Sequence, residues 1–467
     1  MASEIMMYFG SMRALTTTVI AFFLFASSLH AQSDSAVFRS IANEILLHGK
    51  CYDNLHELCK KIGRRLSGSP QAGKAVQWTK KQMESIHPDK VWLQPVTVPV
   101  WHRGKESLAV KFPGENAFRQ IPMTSLGNSE GTKGKLLTAQ VVMVNNPEEL
   151  KDLTAQQAKG KIVFFNNRFP QELVNTFEGY GLTARYRSIA PNLASSKGAI
   201  GVIIRSVSTG MDDVPHTGAM HYNDSSKRIP AVAIGNFSAD AMEKACKNGT
   251  VTVQLQSECT MKGTASSYNV IAEITGTEKP EEIIVVGGHL DSWDVGEGAH
   301  DDGAGVTQVM EVLRTFEALD IKPKRTIRGV LFINEENGLK GGQAYADSAQ
   351  AKGEKHIAAI ETDAGGFSPR GMGMEMDKIQ REKIKQFAYL FLPYGVYDFD
   401  QEEGGADISP LRNRFNTPVM ELLPDPQRYF DYHHTNSDVF EKVNHRELKL
   451  GAIALTQMAY LISQYGL

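Results

Sequence analysis

The stretch GGHLDSWDVGEGAHDDGAGV, Gly287–Val306, holds two histidines, four aspartates and a glutamate among six glycines. So much negative charge beside histidine, in a loop too glycine-rich for a helix, is either an acidic turn facing water or a set of carboxylates sharing a cation. Acids and histidines recur at one kind of place. His289 and Asp291 follow the apolar run EIIVVGG, Glu335 and Glu336 follow TIRGVLFIN, and Asp363 closes HIAAIETD. His434 lies in YHHTNSD after TPVMELL, and Asp301 opens the helix-like run behind the glycine loop. Taken singly, each has an ordinary explanation: Asp301 suits a helix N-cap, and the two glutamates suit a solvated helix start. Taken together they do not, because packing needs no such set and adjacent carboxylates repel unless a cation neutralises them. The glycines permit close backbone approach in a crowded site. A phosphate loop is excluded, since no Gly-Lys-Ser/Thr ending is present and the acids would repel phosphate. Histidine with hard carboxylates and no thiolate favours zinc over cobalt or manganese. Five ligands exceed the need of one tetrahedral ion, so two ions sharing a bridging carboxylate fit better.

Strands ending at a common edge must position this set. After Ser267 the chain alternates: strand-like NVIAEITG, EIIVVGG, TIRGVLFIN, HIAAIETD and TPVMELL, with helical spacing in VTQVMEVLRTF and LKLGAIALTQMAYLI. This predicts an α/β fold, a mixed and largely parallel sheet flanked by helices, with ligands at the carboxyl ends of its strands. Residues 35 to about 86 read as helices punctuated by GRRLSGSPQ, and VWLQPVTVPVW reads as an edge strand because of Pro95 and Pro99. Between 106 and 264 short β-like runs carry no clustered histidine and carboxylate, which predicts a separate, mostly β domain inserted between 32–105 and 265–467.

A chain of 467 residues with net charge −3 is ordinary for a globular protein and has no basic excess for nucleic acid. Arg13, the apolar ALTTTVIAFFLFASSL and the small Ala31 predict a cleaved signal peptide at 1–31. The run is shorter than the roughly 20 residues a bilayer demands, so no membrane span is expected after cleavage, and a secreted or periplasmic location follows. Four cysteines are too few for a disulfide scaffold. In one helix Cys51 and Cys59 would stand roughly 12 Å apart, beyond bridging. Cys246 and Cys259 flank the turn signal Asn248-Gly249 and are expected to be bridged in an oxidising compartment; the alternative is burial of all four as small apolar residues.

GGHLDS, GAHDDGAG, NEENGLKGG, ETDAG and HHTNSD, in this order, resemble the co-catalytic zinc peptidases, a family of bacterial zinc aminopeptidases and glutamate carboxypeptidases. HLDSWDVGEGA, GRRLSGS, PVWHRG and PHTG resemble its glutamate carboxypeptidase side more closely. The resemblance implies that His289 and Asp363 bind one zinc, Glu336 and His434 the other, and that Asp301 bridges them. In HHTNSD the family pattern places Thr or Ser directly after the ligand, which selects His434, with His433 as the alternative. Glu335 matches the general base and Asp291 the carboxylate that orients the first histidine. The 106–264 segment matches an inserted protease-associated domain, and a homodimer is implied. Two cations would lower the pKa of a bridging water, and Glu335 would take its proton and pass it to the leaving amine. The expected activity is hydrolysis of small peptides, chiefly dipeptides with both ends free. Asp407, Arg185 and Arg187 are candidates for binding the substrate termini. The alternatives are a broad-specificity zinc aminopeptidase, a glutaminyl cyclase of related fold, and a binding protein without metals. The full ligand set and Glu335 speak against the last.

Overall fold

Runs such as IIVVGG and TIRGVLF have no polar face because, as strands of a parallel sheet, they are covered on both sides. The computed structural model, which describes residues 33–224 and 227–467, builds fifteen strands among them. They are β1 (Lys90–His102), β2 (Glu106–Lys111), β3 (Arg119–Ile121), β4 (Thr124–Ser125), β5 (Leu137–Val144), β6 (Ile162–Phe165), β7 (Gly201–Arg205) and β8 (Ala231–Ile234). Then follow β9 (Thr252–Ser257), β10 (Thr260–Ile274), β11 (Lys279–His289), β12 (Arg325–Phe332), β13 (Lys355–Glu361), β14 (Pro369–Glu375) and β15 (Val419–Pro424). The signal-peptide expectation at 1–31 lies outside the described residues.

The first sheet has the order β1-β10-β12-β11-β13-β15-β14. Its middle four strands, β12, β11, β13 and β15, run parallel, and the outer pairings, β1 with β10, β10 with β12 and β14 with β15, are antiparallel. The sheet is therefore mixed with a parallel centre, as expected, and β1 with its two prolines is an edge. Period-two alternation divides the strands between two helical layers. Ile283, Val285, Val330 and Phe332 pack with Tyr345 and Ala346 of the helix Lys340–Lys352. The helix Ala304–Ala318 covers the other face, where a Cβ on Gly329 would come within 2.8 Å of Leu313. The C-terminal helix His445–Tyr465 packs beside it.

The N-terminal helices are Asp34–His48, Cys51–Glu57 (continuing as a wider turn to Ile62) and Pro70–Ser85. In GRRLSGSPQ, Ser69 caps the last of these by accepting from the Ala72 N–H at 3.1 Å, with Pro70 in the first turn.

Between β1 and β10 the chain makes a second sheet, in the order β3-β2-β9-β5-β6-β7-β8-β4. Strands β5 to β8 are parallel, and apolar clusters lie on both of its faces. The helix-like run ADAMEKACK forms the helix Asn236–Asn248, and the segment, expected to be mostly β, also carries the long helix Thr176–Ser196. The helix Thr176–Ser196 holds Gly179, Gly181 and Pro191, residues that argue against a helix when read alone. Ile41–Leu467 form one compact unit containing both sheets.

The expected Cys246–Cys259 bridge is not formed, and all four cysteines are free thiols. The turn signal between them does not bring them together: Cys246 packs among the apolar residues under β9, whereas Cys259 packs with Leu66, Trp101 and Trp293. Cys51 and Cys59 are free and buried, as the helical spacing requires.

Candidate metal centre

The parallel strands deliver the expected residues to one edge. His289 is the last residue of β11, Glu335 and Glu336 follow β12, Asp363 follows β13, and His434 lies beyond β15. Asp301 comes from the glycine loop, which is held from outside. Arg65 donates through Nε to the Leu290 carbonyl at 2.6 Å and through its two Nη atoms to Glu297 O at 2.7 Å and Gly298 O at 3.0 Å. Asp438 accepts from the N–H groups of His300 and Asp301 at 2.7 and 3.2 Å. Asp302 accepts from the N–H of His289 at 3.0 Å and of Gly305 at 2.8 Å, tying the loop to β11. The Asp301–Asp302 peptide bond is cis.

Asp301 stands at the centre with its two oxygens facing different histidines. Oδ1 lies 3.1 Å from Nε2 of His289, which is also 3.3 Å from Oδ1 of Asp363. Oδ2 lies 3.2 Å from Nε2 of His434, which is also 3.2 Å from Oε2 of Glu336. The five residues thus form two halves sharing Asp301. His433 stacks on His434 with centroids 3.4 Å apart, and its Nε2 is 3.6 Å from Asp301 Oδ2, the longer of the two approaches.

The groups around the halves hold them in place. Glu336 Oε1 accepts from the Trp293 N–H at 2.9 Å. The Asp291 carboxylate accepts from the N–H groups of Asn334 and Glu335 at 2.6 and 3.1 Å, fixing the turn that carries both glutamates. That carboxylate is 4.0 Å from Nδ1 of His289; the closer partner is the Asp291 carbonyl, at 3.0 Å. His300, the other histidine of the loop, is packed between Phe367 and Tyr432 and accepts from the Gly366 N–H.

Charge at the centre is unbalanced. Among the described residues, no lysine or arginine is ion-paired with Asp291, Asp301, Asp302, Glu335, Glu336 or Asp363. Asp301 Oδ2 and Asp363 Oδ1 are buried without a hydrogen-bond partner. Burial, and then the charges of Asp363 and Asp301, pushes the Glu335 carboxyl up to about 8. Burial would raise Asp301 too, but the facing imidazoles of His289 and His434 hold it well below the usual carboxylate range. Three sets of donor atoms lie within 4.8 Å of one another: His289, Asp301 and Glu336; Asp301, His433 and His434; and His289, Asp302 and Asp363. A buried, converging set of hard oxygen and imidazole donors with orphaned oxygens fits divalent cations.

A cleft of about 480 Å³ opens over the centre, lined by Asp301, Glu335, Glu336, Asp363, His433 and His434. Its opposite wall includes Phe177, Tyr180 and Arg187 of the helix Thr176–Ser196, with Tyr429 and Phe430 beside them. Arg187, only 8% exposed, donates to Thr217 O at 3.3 Å and to the Tyr180 hydroxyl at 3.1 Å. Its Nε has no partner. Arg185 does not line the cleft: it is exposed and lies over the Tyr186 ring. Two positions on a helix are about 200° apart, so the residue two before Arg187 faces away. Asp407 is 1% exposed and also absent from the cleft wall; its N–H donates to Glu361 at 3.3 Å. The aromatic wall and Asp438 were not anticipated, although FEGY, RYFDY and the final Asp of HHTNSD carried the signal.

Residues 269–459, the stretch that contributes every one of these acids and histidines, match peptidase family M28. Over 432 residues the chain is 32% identical to carboxypeptidase Q of Homo sapiens, spanning 91% of this chain and 89% of that one. The chain belongs to peptidase family M28. It is a metallopeptidase, a hydrolase of peptide bonds, of the carboxypeptidase Q-like kind. A peptidase M28 precursor from Shewanella amazonensis has the same fold at TM-score 0.87 and 34% identity, covering 92% of this chain and 96% of its own. The zinc aminopeptidase BSAP of Bacillus subtilis, at TM-score 0.64 and 20% identity over 89% of this chain and 94% of its own, shares the fold. No helix among the described residues of this M28 peptidase is long and apolar enough to cross a membrane.

Proposed function

We propose that this M28 metallopeptidase holds two zinc ions and hydrolyses small peptides outside the cytoplasm, chiefly dipeptides with both ends free. The observation that carries the reading is Asp301, whose two oxygens face His289 and His434 from the middle of the cluster. His289 and Asp363 would hold one ion, Glu336 and His434 the other, and Asp301 both. When bound, the ions supply Lewis acidity for activating water and polarising the scissile carbonyl. Zinc is the metal named for BSAP, whose fold this chain shares.

Glu335 acts as general base. It lines the cleft beside the cluster, and its backbone is fixed by Asp291. A carboxylate at this place in the cleft is suited both to taking the proton of the attacking water and to giving it to the leaving amine. Arg187 receives the free carboxylate of the substrate. Among the described residues it is the sole lysine or arginine in the cleft wall, and burial beside Tyr180 presents its guanidinium with little rotamer freedom left to lose. The stretch 106–264 is read as an inserted protease-associated domain that brings this arginine to the cleft.

The rival reading, a broad-specificity aminopeptidase, is favoured by Glu421, which lines the cleft with no basic partner among the described residues and would suit a free amine. Hydrolysis of one dipeptide series, free, acetylated at the amine or amidated at the carboxylate, decides between them. The proposal expects both blocked forms to be cut more slowly than the free dipeptide. Equal cleavage of amidated peptides and aminoacyl anilides would make the enzyme an aminopeptidase.

A further inference from the structure

The stretch PHTG, Pro215–Gly218, has no part in the reading above, yet it reaches from the connection between β7 and β8 to the candidate ligands. Nδ1 of His216 lies 2.7 Å from the carbonyl of His433. The Thr217 N–H donates to the carbonyl of His434 at 3.0 Å, and Nδ1 of His434 lies 3.3 Å from the Thr217 carbonyl. A carbonyl only accepts, so in both imidazoles Nδ1 carries the proton. For His434 this leaves the lone pair on Nε2, the atom that faces Asp301 and Glu336 at 3.2 Å each.

The backbone at this point needs holding. His434 has φ 63°, in the left-handed region that a side chain disfavours and that persists only where its surroundings over-determine it. The clamp itself is well founded in the second sheet. The His216 N–H donates to Ser206 Oγ at 2.8 Å, Ser206 Oγ donates to the Ile234 carbonyl at 2.8 Å, and Thr217 Oγ1 donates to the Ser125 carbonyl at 2.8 Å. His216 is 2% exposed, so its imidazole is held in the clamp rather than by solvent.

We propose that His216 and Thr217 are positioning residues for His434: the second sheet grips the His433–His434 backbone and fixes the tautomer of one ligand of the metal centre. The proposal rests on the two-ion reading above. It makes the halves unequal. The His289 half is oriented from within its own strand end, by the Asp291 carbonyl at 3.0 Å. The His434 half depends on residues lying more than 200 positions earlier in the chain.

The test is a chelator-competition titration of the purified full chain with zinc alone, comparing wild type, His216→Ala and His216→Asn, whose amide can replace the Nδ1–H donor. His216→Ala should weaken one of two zinc affinities about 10- to 100-fold and leave the other unchanged, as loss of a ligand-orienting group does elsewhere. His216→Asn should recover most of that loss, which a merely structural role for the imidazole does not predict. If His216→Ala fails to fold, Ser206→Ala, which removes the acceptor of the His216 N–H together with the hydroxyl donor to the Ile234 carbonyl, carries the same expectation of one weakened site. Unchanged affinities, or both sites weakened together, would overturn the proposal. Wild-type protein that binds fewer than two ions would instead overturn the two-ion reading.

Discussion

At the residue scale, the two-ion proposal gives Asp301 and Glu335 separable duties, and substitutions should separate them. Asp301 offers one oxygen to each half of the centre, so Asp301→Ala should lower zinc content at both positions. His289→Ala removes a donor from one half only, and metal analysis should find the other ion retained; equal loss in the two variants would deny Asp301 its shared role. Glu335 is not assigned to either ion. Glu335→Gln keeps size and polarity but removes the proton acceptor, so kcat should fall at least ~100-fold, the low end for general-base work, while bound zinc stays near the wild-type amount. Near-normal kcat would remove Glu335 from that role. Most of these residues were legible in the sequence, since acids and histidines just past apolar runs have no packing reason to be there. What orients them was less legible. The partner of His289 Nδ1 is a backbone carbonyl, and so is that of His434 Nδ1, and a carbonyl belongs to every residue type.

At the scale of elements, the strands that display the centre are tied together at their opposite ends. Glu282, near the start of β11, accepts from Arg325 Nε of β12 at 2.6 Å and from Lys355 Nζ of β13 at 2.8 Å. Hydrogen bonding from Lys355, with Arg325, lowers the Glu282 carboxyl from 4.5 to about 2. A carboxyl lowered on folding contributes stability that is fully present above its unfolded value and is lost as pH falls through its folded one. Glu282→Gln should therefore cost about 1–3 kcal/mol at pH 7, and the difference from wild type should shrink between pH 4.5 and about 2, the window set by the two values. Denaturant unfolding followed across that range measures it; a difference independent of pH would mean the pairing contributes nothing through charge. The same elements show where sequence reasoning ended. β11, β12 and β13 announce themselves as apolar runs of strand length, and β1 as an edge through Pro95 and Pro99. The helix Thr176–Ser196 does not, because its glycines and proline disfavour a helix that tertiary packing nonetheless stabilises. Arg185 and Arg187 were equivalent candidates only while that segment had no known phase; once it is a helix, one faces the cleft and the other faces water.

At the scale of the whole molecule, the cleft has walls from both sheets, and its selectivity should follow from that division. The first sheet contributes the acids and histidines, which serve any peptide bond equally well. The helix Thr176–Ser196, from the second-sheet segment, contributes Phe177, Tyr180 and Arg187, and only Arg187 carries a charge complementary to a free carboxylate. Replacing it with methionine keeps the apolar stem and removes the guanidinium. A charge-assisted hydrogen bond contributes about 1.5–3 kcal/mol, so kcat/KM for free dipeptides should fall roughly 10- to 150-fold in Arg187→Met. Carboxyl-amidated dipeptides, which lack the negative charge, should lose far less, so the preference of the wild type for free over amidated substrate should narrow or vanish. Measuring kcat/KM for both substrates in both proteins gives a double difference, and that difference isolates the carboxylate contact from any general disturbance of the cleft wall. Should Arg187→Met slow both substrates by the same factor, the arginine would be a brace between Tyr180 and the Thr217 carbonyl, and recognition of the carboxylate would have to lie elsewhere in the wall.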